Sequence, residues 1–305
     1  MRIILAGATG AIGLPLIRLL KEAGHLVFGL ARSEESARAL TKAGAGAVTA
    51  DALDAVAVRA AIARIRPDAV INELTALPRH YTAAEMKAAA ARDAKVRVEG
   101  NANLLAALKD AGVRRYILQS SGFWYATGAG LANESEPFAI DASPGVSAGA
   151  RRYVELESAA TGTADAECVL LRYGFFYDPG TWYSADGDIG DQVRQQQRPI
   201  IGAGEGVSSW VHIDDAAAAT VAALDCAPGS YNVVDSDPTP QHVWLPAFAR
   251  SAAAPEPPHV TEQAALETLG VDAVYFATRL RGASNAKAMR ELKFRPRPLE
   301  WLHQS

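Results

Sequence analysis

The first thirteen residues, Met1-Arg2-Ile3-Ile4-Leu5-Ala6-Gly7-Ala8-Thr9-Gly10-Ala11-Ile12-Gly13, constrain the fold more than any other stretch of this chain. An apolar run of strand length leads straight into glycines at 7, 10 and 13, and Ile12, Leu16, Leu19 and Leu20 then recur at helical intervals. In a strand-to-helix turn of this kind one glycine makes the bend, one admits a pyrophosphate to the backbone, and one lets the helix pack on the strand. The helix presents unpaired N–H groups and the positive end of its dipole to the same place, and Pro15 is tolerated in its first turn. Gly7, Thr9, Gly10, Ala11, Ile12 and Gly13 are therefore expected to hold the phosphates of a dinucleotide.

A chain of 305 residues has ample core for one large domain or two unequal lobes. Its net charge of −4 argues against nucleic acid or an anionic membrane as partner and leaves a small-molecule substrate. The two cysteines, Cys168 and Cys226, form no metal spacing and no disulfide framework, which points to the cytoplasm. The apolar run at the N-terminus is too short for a secretory or membrane segment. A monomer and a homodimer fit equally.

Residues 25–30 read as a second strand, after Gly24 has stopped the first helix. A carboxylate ending that strand would accept from free ribose hydroxyls. Here Ala31 is followed by Arg32 and Ser33, which suit a 2′-phosphate, so NADP is favoured and NAD left open. Residues 47–49 form a third strand. Asp54 is placed to cap a helix over 55–65, and Asp51, next to Ala52, is either a second cap or an acceptor for the adenine amino group. A fourth strand at 69–72, a helix over 82–108 and a fifth strand at 115–119 follow, with Ser120 and Ser121 at its end. This alternation implies an α/β doubly wound parallel sheet of Rossmann type, with ligands beyond the strand C-termini.

The chain resembles the extended short-chain dehydrogenase/reductases, the NAD(P)-dependent group that includes nucleotide-sugar epimerases and dehydratases. The resemblance rests on Gly7 to Gly13, Gln119-Ser120-Ser121-Gly122-Phe123-Trp124-Tyr125, and the run from Leu171 to Gly180. Trp210-Val211-His212-Ile213-Asp214-Asp215 and Gly229-Ser230-Tyr231-Asn232-Val233-Val234 extend it. It implies that Glu73, Leu74 and Thr75 lie along the ribose and pyrophosphate, that Gln119 and Ser120 border the cofactor, and that Ser121 hydrogen-bonds the reacting oxygen. Tyr173, Gly174, Phe175 and Phe176 should line the nicotinamide end. Residues 1–178, rejoined by 208–236, would form the NADP-binding domain, and 179–207 with 237–305 a smaller C-terminal substrate lobe.

One part of the family pattern is missing. Its chemistry depends on a Tyr and a Lys three residues apart on the helix after the fifth strand, and no Tyr-x-x-x-Lys occurs here. With Glu155 as the family's acidic residue further along that helix, Ser147 falls at the Tyr position and Arg151 at the Lys position. Arg151 can hold a ribose hydroxyl and supply charge, whereas an aliphatic hydroxyl is far less acidic than a phenol of pKa about 10. Tyr153 would face away from that pair, and Asp214 and Asp215 are expected to cap the helix that follows them.

Sugar-binding members carry Asn where this chain has Phe175. That exchange removes an amide and builds an apolar wall, with Phe123, Tyr125, Tyr177, Trp182, Tyr183 and Trp210 as further aromatic candidates for a substrate pocket. The glycine-rich stretch from 182 to 209 reads as an insertion that closes over a ligand. These features predict an NADP(H)-dependent oxidoreductase acting on a small, apolar or planar carbonyl, alcohol or enone. The alternatives are a non-catalytic cofactor sensor like the NmrA-type regulators, and an epimerase or dehydratase that recycles its cofactor.

Overall fold

The computed structural model describes residues 1–303. Along the chain, β1 (Arg2–Ala6), α1 (Gly13–Glu22), β2 (Leu26–Ala31), α2 (Glu34–Lys42), β3 (Gly46–Thr49) and α3 (Ala55–Ile65) alternate. They lead to β4 (Ala69–Asn72), α4 (Ala83–Asp110), β5 (Arg115–Ser121), α5 (Pro144–Thr161) and β6 (Glu167–Tyr173). The rest supplies β7 (Phe175–Tyr177), α6 (Asp188–Arg194), β8 (Ile200–Ile201), β9 (Val207–Ser208), β10 (Trp210–His212), α7 (Ile213–Ala222) and β11 (Gly229–Val233). Last come β12 (Thr239–Pro240), α8 (Gln241–Ser251), β13 (His259–Val260), α9 (Glu262–Thr268), α10 (Val271–Thr278), α11 (Ala286–Glu291) and α12 (Glu300–His303).

Seven strands pair in parallel in the order β11-β6-β5-β4-β1-β2-β3. The chain leaves β1 toward β2 and β3, then returns through α3 to β4 on the other side of β1. The order reverses there, which opens a crevice beyond the C-terminal ends of β1 and β4. Alternate residues of each strand serve opposite layers. Ile3, Leu5, Ile71 and Leu171 pack under α1 and α7, and Ile4, Val70, Leu118 and Leu170 pack under α4 and α5. Because β6 continues alongside, β5 runs two residues beyond its expected end and carries Ser120 and Ser121 into the sheet opposite Arg172 and Tyr173. Among the described residues no helix is long and apolar enough to cross a membrane.

A buried ion pair locks α5 to the sheet. Arg172 donates from Nε to Glu157 Oε1 at 2.8 Å and from Nη2 to Oε2 at 2.6 Å. Its Nη1 donates to the Tyr125 hydroxyl and to the Glu134 carbonyl, and Ser120 Oγ donates to Glu157 Oε1. Tyr125 in turn donates to Asn232 on β11. One network therefore joins β5, α5, β6 and β11 with almost no unmet hydrogen-bonding capacity, the condition under which buried charge is tolerated.

The cap of α7 differs from expectation. His212 Nδ1 accepts from the Asp214 N–H, while Asp215 binds the Arg297 guanidinium at 3.0 Å. The competing cation draws Asp215 away from the helix start. Asp54 caps α3 by accepting from Val56 and Ala57. A third core, with Tyr177, Val193, Trp210, Trp244, Phe248 and Trp301, gathers α6, α8 and α12. The glycine-rich stretch is clasped to the loop after β4: Trp182 Nε1 donates to the Arg79 carbonyl, and Asp188 accepts from the Tyr81 N–H.

Glu157→Ala would leave Arg172 buried and uncompensated. A loss of about 3–5 kcal/mol in unfolding free energy is expected, read from chemical denaturation.

Candidate active site

The turn after β1 has the shape its sequence implies. Gly7 adopts φ +81°, and a Cβ on it would stand 2.2 Å from the Glu73 carbonyl oxygen. A Cβ on Gly13 would stand 2.3 Å from the Ala8 carbonyl oxygen, so the start of α1 packs directly on the backbone of the turn. Thr9, Gly10 and Ala11 are exposed, Ile12 gives α1 no side-chain cap, and its first turn carries no acid. The Gly10 and Gly13 N–H groups close onto the Gly7 and Gly10 carbonyls, and Pro15 has none. Those of Ala11, Ile12 and Leu14 have no backbone partner among the described residues, so a dinucleotide diphosphate fits there.

Around this turn the candidate residues divide. Arg32 is exposed and, among the described residues, has no ion-pair partner. Ser33 is committed elsewhere: its hydroxyl accepts from the Ser36 N–H as the cap of α2, so the pull of the helix start overrides the expected phosphate contact. Asp51 Oδ1 accepts from the Leu53 N–H, and the Ala52 carbonyl accepts from Asn103. Leu74 packs against Gly100 of α4, and Thr75 is half-buried.

At the ends of β4, β5 and β6, Glu73, Gln119, Ser121 and Tyr173 are drawn together by the register of the strands. Glu73 is 3% exposed; its Oε1 accepts from the Tyr173 hydroxyl at 3.0 Å, and its Oε2 has no partner. Burial pushes this carboxyl from 4.5 up to about 8, against the opposing pull of Tyr173 and Arg97. Gln119 Oε1 and Ser121 Oγ are likewise buried without partners. Ser120 is spent on Glu157, because alternate residues of β5 face the α5 layer. Tyr173 points into the α1/α7 layer, where its hydroxyl lies 2.6 Å from Thr220, and this removes it from the expected nicotinamide wall. Phe176 packs on the Tyr173 ring at 5.2 Å. A Cβ on Gly174 would meet the Ser209 carbonyl oxygen at 2.6 Å.

The structure overturns the assignments on α5. Glu155 is exposed, and the acid that faces the sheet is Glu157. The same spacings counted back from Glu157 reach Gly149 and Tyr153, not Ser147 and Arg151. Ser147 donates to the Ile140 carbonyl, and Arg151 forms an exposed pair with Asp141 at 3.1 Å. Both lie on the outer side because the inward face of α5 is Val146, Gly149, Ala150, Tyr153, Leu156 and Glu157. That apolar phase was the signal available in the sequence. A Cβ on Gly149 would stand 2.8 Å from Trp124 Cζ2, so an indole fills the space beside the position where the family has its phenol. Trp124 Nε1 is buried without a partner. Tyr153, at the Lys position, lies under the guanidinium of Arg97 from α4, which is bound by Asp93.

Most of the expected substrate aromatics are packing. Tyr125 is 1% exposed in the Arg172 network, and Tyr177 and Trp210 are fully buried in the third core, where apolar burial collects them. Trp182 packs at a tilt against Tyr81, and Tyr183 packs edge-on to Trp210. Phe175 and Phe123 stack at 4.1 Å, forming a flat wall beside Ser121. A cavity of about 770 Å³ opens between the 126–143 loop and α9–α10, with Ala139 and Tyr275 on its wall and Arg279 at its edge. Ala139 and Tyr275 back onto Trp124 and Phe175. Arg281 is bound by Glu136, and Lys287 donates to the Ser230 carbonyl.

Residues 3–233 match the model of the NAD dependent epimerase/dehydratase family. The chain belongs to that family. It is 38% identical to a 3-diazoavenalumate denitrifying reductase of a Streptomyces species, over 99% of this chain and 98% of the relative. Its fold is similar to that of UDP-glucose 4-epimerase from Thermus thermophilus in complex with NAD, with TM-score 0.71 and 23% identity over 97% of this chain and 94% of that one. It is similar also to dTDP-glucose 4,6-dehydratase from Streptomyces venezuelae with NAD bound, with TM-score 0.74 and 19% identity over 98% and 92% of the two chains. As an NAD(P)-dependent oxidoreductase of this family, the protein has a nicotinamide dinucleotide as cofactor.

The epimerase/dehydratase family member described here therefore keeps the phosphate turn and Ser121 but has neither member of the usual Tyr–Lys pair. Two outcomes follow. Gly149→Ala should destabilise the fold by about 1–3 kcal/mol, judged by the denaturant midpoint. The same change should cost less in a Trp124→Ala background, because the two positions share one space. Glu73 holds a proton in the fold that the unfolded chain has lost between about pH 4.5 and 8, so stability falls as pH rises through that window. Denaturation midpoints followed across it should decline in the parent and flatten in Glu73→Gln.

Proposed function

We propose that the protein is an NADPH-dependent reductase of planar aromatic acids that carry a diazo group, which it removes as dinitrogen. The observation that carries this reading is Gly149 beneath the Trp124 indole. Bound nicotinamide dinucleotide supplies a hydride. A ketone needs a proton as well, and the family's phenol is the group placed to give it. An arenediazonium needs the hydride alone: a C–H bond forms, the C–N bond breaks, and its electron pair leaves with neutral N2. A site without a phenol suits that balance, and the relative named as a denitrifying reductase of a 3-diazo acid supports it.

The chain's own groups then have restricted tasks. Ser121 Oγ and Trp124 Nε1, two of the buried polar atoms without a protein partner at the crevice, would hold the substrate. Both are much weaker acids than a phenol of pKa about 10, so they orient it by hydrogen bonds without giving up a proton. The stacked Phe123 and Phe175 present a flat apolar face to an aromatic ring, which supports an arene over a nucleotide sugar. Arg279, exposed at the edge of the adjoining cavity, suits a carboxylate on the same molecule. With Ser33 engaged in capping α2, Arg32 is the group left for a 2′-phosphate, which favours NADP.

The test is to incubate purified protein with NADPH and diazotised 3-aminocinnamate. One N2 released and one cinnamate formed per NADPH oxidised is expected. NADPH consumption with ketones and enones but none with the diazo compound would sink the proposal.

A further inference from the structure

The family pattern places a cation at the inward position of α5 that Tyr153 takes here; Arg151 points outward, and Arg152 reaches only the edge of Asp93, at 3.9 Å. A cation nevertheless reaches the place from another helix. Arg97 on α4 is 6% exposed, and its guanidinium carbon lies 5.6 Å from the centre of the Tyr153 ring. Its Nε donates to Asp93 Oδ2 at 2.8 Å. Among the described residues neither of its terminal nitrogens meets a carbonyl or carboxylate. This contrasts with Arg172, the other deeply buried arginine of the sheet layer, where Nε and both terminal nitrogens are engaged. Beyond Asp93 the guanidinium meets the Tyr153 side chain, which still leaves donors of its five for a ligand.

Arg97 is also tied to the cofactor crevice. Asp93 Oδ1 accepts from the Ala76 N–H at 2.8 Å, so the pair is anchored to the loop that begins at Glu73. The Glu73 carbonyl in turn lies against Gly7 of the phosphate turn. Arg152 adds a second cation at 3.9 Å from Asp93, leaving the cluster with an excess of positive charge.

We propose that Arg97, acting from α4, holds the ribose on the nicotinamide side of the bound dinucleotide, in place of the lysine that α5 lacks. The assignment rests on dinucleotide binding by this crevice, and the test separates the two. NADPH, NADH and 2′,5′-ADP, which carries only the adenosine half, are titrated by calorimetry into the parent, Arg97→Gln and the double variant Asp93→Asn/Arg97→Gln. The double variant removes both charges together, so no carboxylate is left buried alone. Dissociation constants for NADPH and NADH should rise about tenfold in both variants, with that for 2′,5′-ADP unchanged. Arg97→Lys should recover part of the loss. Unchanged dinucleotide affinity in the double variant, or equal weakening of 2′,5′-ADP, would overturn the role of Arg97. Failure of the parent to bind any of the three would instead overturn the dinucleotide crevice itself, and the proposal with it.

Discussion

The bidentate pair of Glu157 and Arg172 sets the geometry on which the rest of the site depends. Two charges taken out of water cost several kcal/mol each unless their remaining hydrogen-bonding capacity is met. Here it is met from β5, β6, β11 and the 126–143 loop together. The same contacts fix the rotation of α5 about its axis. A shift of two residues on a helix turns it by about 200°, enough to exchange Ser147 and Arg151 for Gly149 and Tyr153 on the face that looks into the crevice. One ion pair thereby decides which side chains the chemistry can use.

The contrast with Asp93 and Arg97 is instructive. Both pairs are buried, but the first is closed on itself and the second is left open. Glu73 Oε2, Gln119 Oε1, Ser121 Oγ and Trp124 Nε1 are open in the same way, and all belong to the strand ends around the crevice. Unmet polar atoms of this kind weaken a fold wherever they occur. At these four positions on the C-terminal edge of the sheet the protein gives up stability for binding. Glu73 belongs to this group, a carboxyl kept neutral near pH 7 by its burial under the phosphate turn.

The aromatic residues behave differently. Tyr177, Trp210, Trp244 and Trp301 turn toward one another and form the core of the C-terminal elements. Phe123, Trp124 and Phe175 remain beside Ser121 because β5 ends and β7 begins there, which holds them at the crevice. Which aromatic lines a pocket and which fills a core depends on the direction of short strands, and spacing along the chain does not record that direction.

From the sequence alone came the alternation of strands and helices, the glycine turn, the Asp54 cap, the apolar exchange at Phe175 and the absence of a Tyr-x-x-x-Lys pair. Each of these is local: periodicity, the backbone freedom of glycine and capping chemistry act within a few residues. Only the tertiary structure decided the rotation of α5, the placing of Trp124 against Gly149, the arrival of Arg97 from α4, and the burial of Glu73 against Tyr173. Those are contacts between segments distant in the chain. They arise because buried charge must find its partner wherever the fold brings one within reach, and the helix phase, with the residues it exposes to the crevice, follows from that demand.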